Sequence, residues 1–239
     1  MRNSALVRLA EAKFMDYASL VCSSEDCVAE VREVVEAYRE LLEILGELRG
    51  YKLKLEHSRT PLIEGAEGEL RSLLDEITSK LREKGLEVVE VRLKNTPGGG
   101  GLEDLLAMLV RRVFYEIVSD RVQGLNWVNG RCPVCGLKPL VGIVKREKGE
   151  IFSRDVLELR CVCGFTREYD MLECPSCRVR GRSNFEYMLL GRVTYRICRN
   201  CGHIIGLISD IPQADKDLLT ITVLYGIPIV LNSISQDRD

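Results

Sequence analysis

Eight of the ten cysteines fall in four close pairs: Cys132-Pro-Val-Cys135, Cys161-Val-Cys163, Cys174-Pro-Ser-Cys177 and Cys198-Arg-Asn-Cys201. Two thiolates separated by two residues can grip one ion from a single tight turn, and a second pair completes a tetrahedral site. Four pairs make two such sites. Gly136, Gly164 and Gly202 each follow the second cysteine of a pair. A glycine there takes positive φ without steric cost and turns backbone N–H groups towards sulfur. Pro133 and Pro175 pre-set φ inside two of the turns. Core packing alone does not require such a run. Disulfides are disfavoured in a reducing cytosol, although some hyperthermophiles carry them inside the cell.

Spacing indicates which pairs cooperate. Twenty-five residues separate Cys135 from Cys161 and 20 separate Cys177 from Cys198, but only ten lie between Cys163 and Cys174. The longer segments alternate like strands: Leu140–Val144 in the first, Phe185–Leu190 and Val193–Ile197 in the second. Each could form a hairpin that returns its second pair to its first. The reading is two successive ribbons, Cys132, Cys135, Cys161 and Cys163, then Cys174, Cys177, Cys198 and Cys201. An interleaved arrangement needs longer excursions. On an extended strand Cys161 and Cys163 would face the same way, so both reach one ion with a different bite.

The elements that must carry these turns are mostly helical. Leu6, Ala10, Phe14, Tyr17 and Val21 fall on one face of a predicted helix over 4–21. Ser23 with Asp26 resembles a capping box for a long helix over about 25–49, striped by Val31, Val34, Val35, Tyr38, Leu41, Leu42, Leu45 and Leu48. A further helix is predicted over 66–84, and another from Leu102 to about Gly124. Between them, Leu86–Leu93 reads as a strand, and Pro97–Gly101 as a linker without the Lys-Ser/Thr that a phosphate loop needs. After the ribbons, 210–225 reads as a loop and a helix, followed by an apolar tail containing Pro228. The fold class is α+β: a helical domain over 1–125, metal ribbons over 126–171 and 172–209, and a helix and tail over 210–239.

The remaining candidates are weaker. Cys22 and Cys27 could pair or bind metal, but with no second pair nearby they read as core or loop cysteines. His57 reads as a surface group. His203 follows a thiolate set that is already complete. Trp127 is positioned to pack between helices and ribbon. Arg178, Arg180 and Arg182 either offset thiolate charge or meet an anionic partner.

The chain has 239 residues and a net charge of −2. Residues 1–130 carry 18 basic and 23 acidic side chains, and residues 131–203 carry 14 and 8. Eight thiolates and two dications reduce the second stretch from +6 to +2, which weakens a nucleic-acid argument made from charge alone. No apolar run in the primary sequence approaches a membrane span, and the N-terminus lacks a signal-peptide core, so a cytoplasmic protein without membrane contact is expected.

The order of parts, and above all Gly130-Arg-Cys-Pro-Val-Cys-Gly-Leu-Lys-Pro-Leu-Val-Gly and Ala214-Asp-Lys-Asp-Leu-Leu, resembles the formate dehydrogenase accessory (formation) protein family, FdhE. The likeness covers about residues 100–225 at motif level; over 1–95 only helical character is shared. It departs in the single spacer of Cys161-Val-Cys163, in Gly-Phe-Thr-Arg beside that pair, and in a shorter, more apolar tail. The resemblance implies a cytoplasmic, non-enzymatic chaperone. Such a protein binds the catalytic subunit of a molybdenum or tungsten formate dehydrogenase, a molybdopterin enzyme, and holds iron or zinc in two rubredoxin-like four-cysteine sites. Two alternatives stand beside it: a zinc-ribbon nucleic-acid-binding protein and a rubredoxin-like electron carrier. No hydrolytic or transferase constellation is visible.

Overall fold

The computed structural model describes residues 16–22, 24–48, 60–64, 66–83, 102–148, 153–211 and 214–236. The expectations for residues 4–15, His57, the 86–93 strand and the 97–101 linker lie outside them. Among the described residues the chain is α+β, with four α-helices and one six-stranded sheet.

Helix α1 (Glu25–Glu47) begins at Ser24, whose Oγ accepts the Cys27 N–H at 3.4 Å, the N-cap geometry that satisfies an orphan donor. The cap is therefore Ser24; Ser23 lies outside the described residues. Val31, Val35, Tyr38 and Leu41 form its buried stripe. Helix α2 (Glu67–Glu83) buries Leu70, Leu73, Ile77 and Leu81 at the same period. Helix α3 (Leu102–Val118) is buried on nearly every side, from Leu105 through Val110 and again at Val113 and Phe114. It is the central element of the helical half.

The strands are β1 (Val141–Lys148), β2 (Ser153–Arg160), β3 (Thr166–Tyr169), β4 (Phe185–Leu190), β5 (Val193–Cys198) and β6 (Ile204–Ser209). Their order across the sheet is β3-β2-β1-β6-β5-β4. All neighbours are antiparallel except β1 and β6, which run parallel with Val141 beside Gly206. Each cysteine region thus contributes three strands in the same relative directions, and the two sets join edge to edge as a translated repeat. The turns preceding β1 and β4 and those following β2 and β5 consequently lie at one end of the sheet.

Helix α4 (Lys216–Gln236) crosses one face of this sheet. Asp215 caps it, its Oδ1 accepting the N–H groups of Asp217 (2.8 Å) and Leu218 (3.1 Å). Arg160 on β2 bonds Asp217 and Thr220, Gly206 on β6 lies under Val223, and Tyr195 on β5 donates to the Val223 carbonyl. A Cβ at Gly206 would fall 2.3 Å from Val223 Cγ1, so the close approach requires glycine. The opposite face is crossed by the chain running from β3 at one edge to β4 at the other; Arg196 on β5 bonds the Met171 carbonyl of that crossing.

Three details differ from the sequence expectation. The helix continues through Pro228, because Ile221, Val223, Leu224 and Val230 are buried on both sides of the break and packing outweighs the lost backbone bond. With that continuity, Lys216–Ile234 is long and apolar enough to cross a membrane by length and composition, and half of it is buried within the fold. Cys22 and Cys27 form a disulfide with Cα atoms 5.5 Å apart, linking the 3-10 turn at Ala18–Leu20 to the first turn of α1.

Candidate metal centres

Three of the four cysteine turns have identical backbone closure. Cys132 N–H donates to the Leu137 carbonyl and Gly136 N–H to that of Cys132, at 2.8 and 2.9 Å. The same pattern links Cys174 to Val179 and Arg178, and Cys198 to His203 and Gly202. Cys161-Val-Cys163 closes one residue shorter: Cys161 N–H donates to Phe165 and Gly164 N–H to Cys161, both at 2.9 Å. The missing spacer tightens the turn without opening it. Gly136, Gly164 and Gly202 have φ of 74°, 95° and 69°; the equivalent residue of the third turn is Arg178, at φ 66°. There a side chain occupies the left-handed conformation that glycine takes in the others.

These turns bring the sulfurs together in two groups, Cys132, Cys135, Cys161 and Cys163, and Cys174, Cys177, Cys198 and Cys201, each with all four Sγ atoms within 4.8 Å of one another. Opposed sulfurs are 3.6 Å apart for Cys132 and Cys163 and 3.3 Å for Cys135 and Cys161. In the second group, Cys174 and Cys201 are 3.7 Å apart, and Cys177 and Cys198 are 3.6 Å apart. A tetrahedral ion with bonds of about 2.3 Å holds its sulfurs about 3.8 Å apart, so both groups fit one zinc or iron ion each.

As bare thiols the groups resist ionising together. Hydrogen bonds from Cys132, Cys161 and Cys163 hold the Cys135 thiol well below its ordinary pKa, while burial pushes Cys161 and Cys163 well above. In the second group burial raises Cys174 to about 12. At Cys177 desolvation is opposed by hydrogen bonds from Asn200, Val179, Cys201 and Cys198, which bring it down to about 6. A dication would release the held protons and neutralise half of the thiolate charge.

The remaining charge has partners that the sequence reading did not pick out. Arg111 on α3 is 1% exposed and donates to the Ala107 carbonyl at 2.9 Å. Burial pulls its pKa down, and the charges of Cys135, Cys161, Cys163 and Asp104 push it back up. Arg196, 2% exposed, lies 4.6 Å over the Phe185 ring; burial lowers it and Cys174 and Cys198 are among the charges that oppose this. Each thiolate group therefore has one buried guanidinium. The signal for Arg111 was available: an Arg-Arg pair inside the apolar run Leu105–Tyr115.

The other candidates resolve differently. His203 is outside both sulfur groups; its Nε2 is 2.9 Å from the Pro139 carbonyl and so carries the proton, and burial, then Lys138, lowers its pKa to about 4. Trp127 packs edge-on against Phe165 at 5.3 Å. Arg178 pairs with Glu173, and Arg180 with Asp170 and Glu173; Arg182 is exposed. Compared with known protein families, curated proteins and solved structures, the chain matches none.

Proposed function

We propose that this chain is a metal-stapled accessory protein, in which two successive rubredoxin-like or zinc-ribbon modules hold two ions and present the helical half to a client protein. The observation that carries the reading is the pair of four-sulfur groups at one end of one sheet, each with its own buried arginine. Four thiolates leave no open coordination position, which suits stapling or electron transfer rather than hydrolysis. The client follows from the resemblance of Gly130–Gly142 and Ala214–Leu219: the catalytic subunit of a molybdenum or tungsten formate dehydrogenase, bound in the cytoplasm before it is completed. Affinity capture with the tagged chain from its native host should enrich a molybdopterin enzyme. Capture that returns none, from cells making such an enzyme, sinks the client assignment.

An electron-carrier reading draws support from one feature: Cys201 is exposed and Cys177 half-buried, so the second site has an open edge towards a redox partner. Elemental analysis and a visible spectrum on anaerobically purified protein separate the two. Two colourless zinc ions leave stapling; iron that bleaches reversibly on reduction supports electron transfer. The nucleic-acid reading loses weight because Arg178 and Arg180 are paired with carboxylates.

A further inference from the structure

The two edges of the sheet are unlike. β3 is four residues long and charged, and Arg167 from it reaches the carbonyls of Val122 and Leu125, fastening neighbouring chain over that end. β4, at the other end, reads Phe-Glu-Tyr-Met-Leu-Leu, and no described residue pairs with its outer side. It has no proline, lysine or bulge, the usual guards against edge pairing. Tyr187 and Leu189 share a face and are 51% and 70% exposed.

Helix α4 lies on the other face of the same edge, the face of Met188 and Leu190. It contacts β2 through Asp217 and Thr220, β6 through Val223, and β5 and β4 where Gly226 meets Tyr195 and Leu190. The helix therefore travels towards the β4 edge, and its residues after Gly226 carry on for about 15 Å. Leu231, 49% exposed, lies in that last stretch.

We propose that the β4 edge is the docking surface for a second copy of this chain, joined by antiparallel β4–β4 pairing about a two-fold axis through Met188. The case rests on self-complementarity. A two-fold perpendicular to the sheet keeps like faces together, so only residues of matching parity can sit opposite. Centred on Met188, the register sets Tyr187 against Leu189 of the copy and Leu189 against its Tyr187, covering four exposed apolar side chains in two cross-strand pairs. Glu186, the one charged residue of β4, falls opposite Leu190, so like charges do not meet, and it keeps its ion pair with Arg199. The same axis brings the two α4 extensions antiparallel over the joint on its other face, that of Met188, where Leu231 is covered. The inference is independent of the client proposed above.

The test uses the full-length, metal-loaded chain. Sedimentation velocity across micromolar concentrations should show a monomer–dimer equilibrium. Leu189→Lys should weaken it at least tenfold while leaving metal content and the circular dichroism spectrum intact. As a second reporter, Met188→Cys should form a disulfide-linked dimer under mild oxidation, because directly opposed residues bring their Cα atoms within about 5.5 Å. Tyr187→Cys should cross-link to Leu189→Cys in a mixture and not to itself. A wild-type chain that stays monomeric overturns the proposal, as does a Leu189→Lys dimer of unchanged strength, or a dimer that Met188→Cys fails to link.

Discussion

The two thiolate groups share ligand chemistry and turn geometry but not their surroundings. All four cysteines of the first are buried, and the helical half is built onto it. Leu62 and Ile63 N–H groups donate to Pro133 and Val134 at 2.8 and 2.9 Å, Arg112 and Tyr115 of α3 press on Gly164, and Trp127 packs on Phe165. The second group sits in a small apolar cluster of its own with Phe185, and Cys201 is open to solvent. One fold therefore contains a thiolate site that organises a core and another that closes only its own hairpin. The difference comes from what covers each site.

The largest expected consequence is in removing a ligand. A structural four-cysteine site contributes on the order of 10 kcal/mol, comparable with the whole stability of a domain. Cys163→Ala should abolish folding of both halves. Cys201→Ala should lose one metal per chain and retain the helices, read by elemental analysis and circular dichroism melts. A chelator should likewise extract the second ion first and the first only on unfolding. Loss of both ions in one phase would erase the distinction.

The buried arginines sharpen the comparison. A dication among four thiolates leaves a net charge of −2, and removing one partner from a buried charge pair costs about 3–5 kcal/mol. Arg111→Met should show that loss in urea denaturation. Arg196→Met should cost less, because solvent at Cys201 screens the second group. If Arg111→Met were neutral or stabilising, the first group would be four uncharged thiols, and the metal reading there would fail.

A smaller effect isolates the turns. Gly202 has open space where a Cβ would go, so Gly202→Ala should cost only the left-handed strain, about 1–2 kcal/mol. At Gly164 the same atom would meet Arg112 and Tyr115 at 3.1–3.2 Å. Gly164→Ala should therefore cost about 1 kcal/mol more by crowding. Equal melting shifts for the two variants would mean that α3 yields freely, and that the first site is less tightly enclosed than its burial indicates.

Local signals account for what the sequence made legible. The periodic stripe of Val31, Val35, Tyr38 and Leu41 marks α1, and the alternation at Phe185–Leu190 coincides with β4. Cysteine spacing marks residues that the fold does bring within reach of one another. What was not legible depends on distant partners. The parallel join of β1 to β6 leaves no mark in either strand, since Val141 and Gly206 meet only after two hairpins have formed. Pro228 signals a break that burial at Val223 and Val230 overrides. Cys22 and Cys27 read as core or loop cysteines from spacing alone, and the fold sets their Cα atoms 5.5 Å apart in a disulfide. Arg111 looks like a polar interruption until the thiolates beneath it are placed.

The smallest effect concerns Arg178, the one left-handed position of the four cysteine turns without glycine. Arg178→Gly should relieve strain of about 1 kcal/mol. Against this, it removes an ion pair with Glu173 at 2.9 Å from a side chain that is 62% exposed, a hydrogen bond donated to the Tyr169 hydroxyl at 2.9 Å, and a contact 5.9 Å over the Tyr169 ring. An exposed pair contributes about 0.2–1 kcal/mol and an exposed cation–π contact about 0.5–1 kcal/mol. The two Tyr169 contacts overlap, so the losses slightly exceed the relieved strain and the net change at low salt should be a destabilisation of about 1 kcal/mol or less. Salt separates them: raising ionic strength screens the ion pair and leaves backbone strain untouched. Arg178→Gly should lose part of its destabilisation in high salt. If the destabilisation is unchanged there, the arginine contributes to the open site through its contacts with Tyr169 alone, and the second site is better enclosed on that flank than at Cys201.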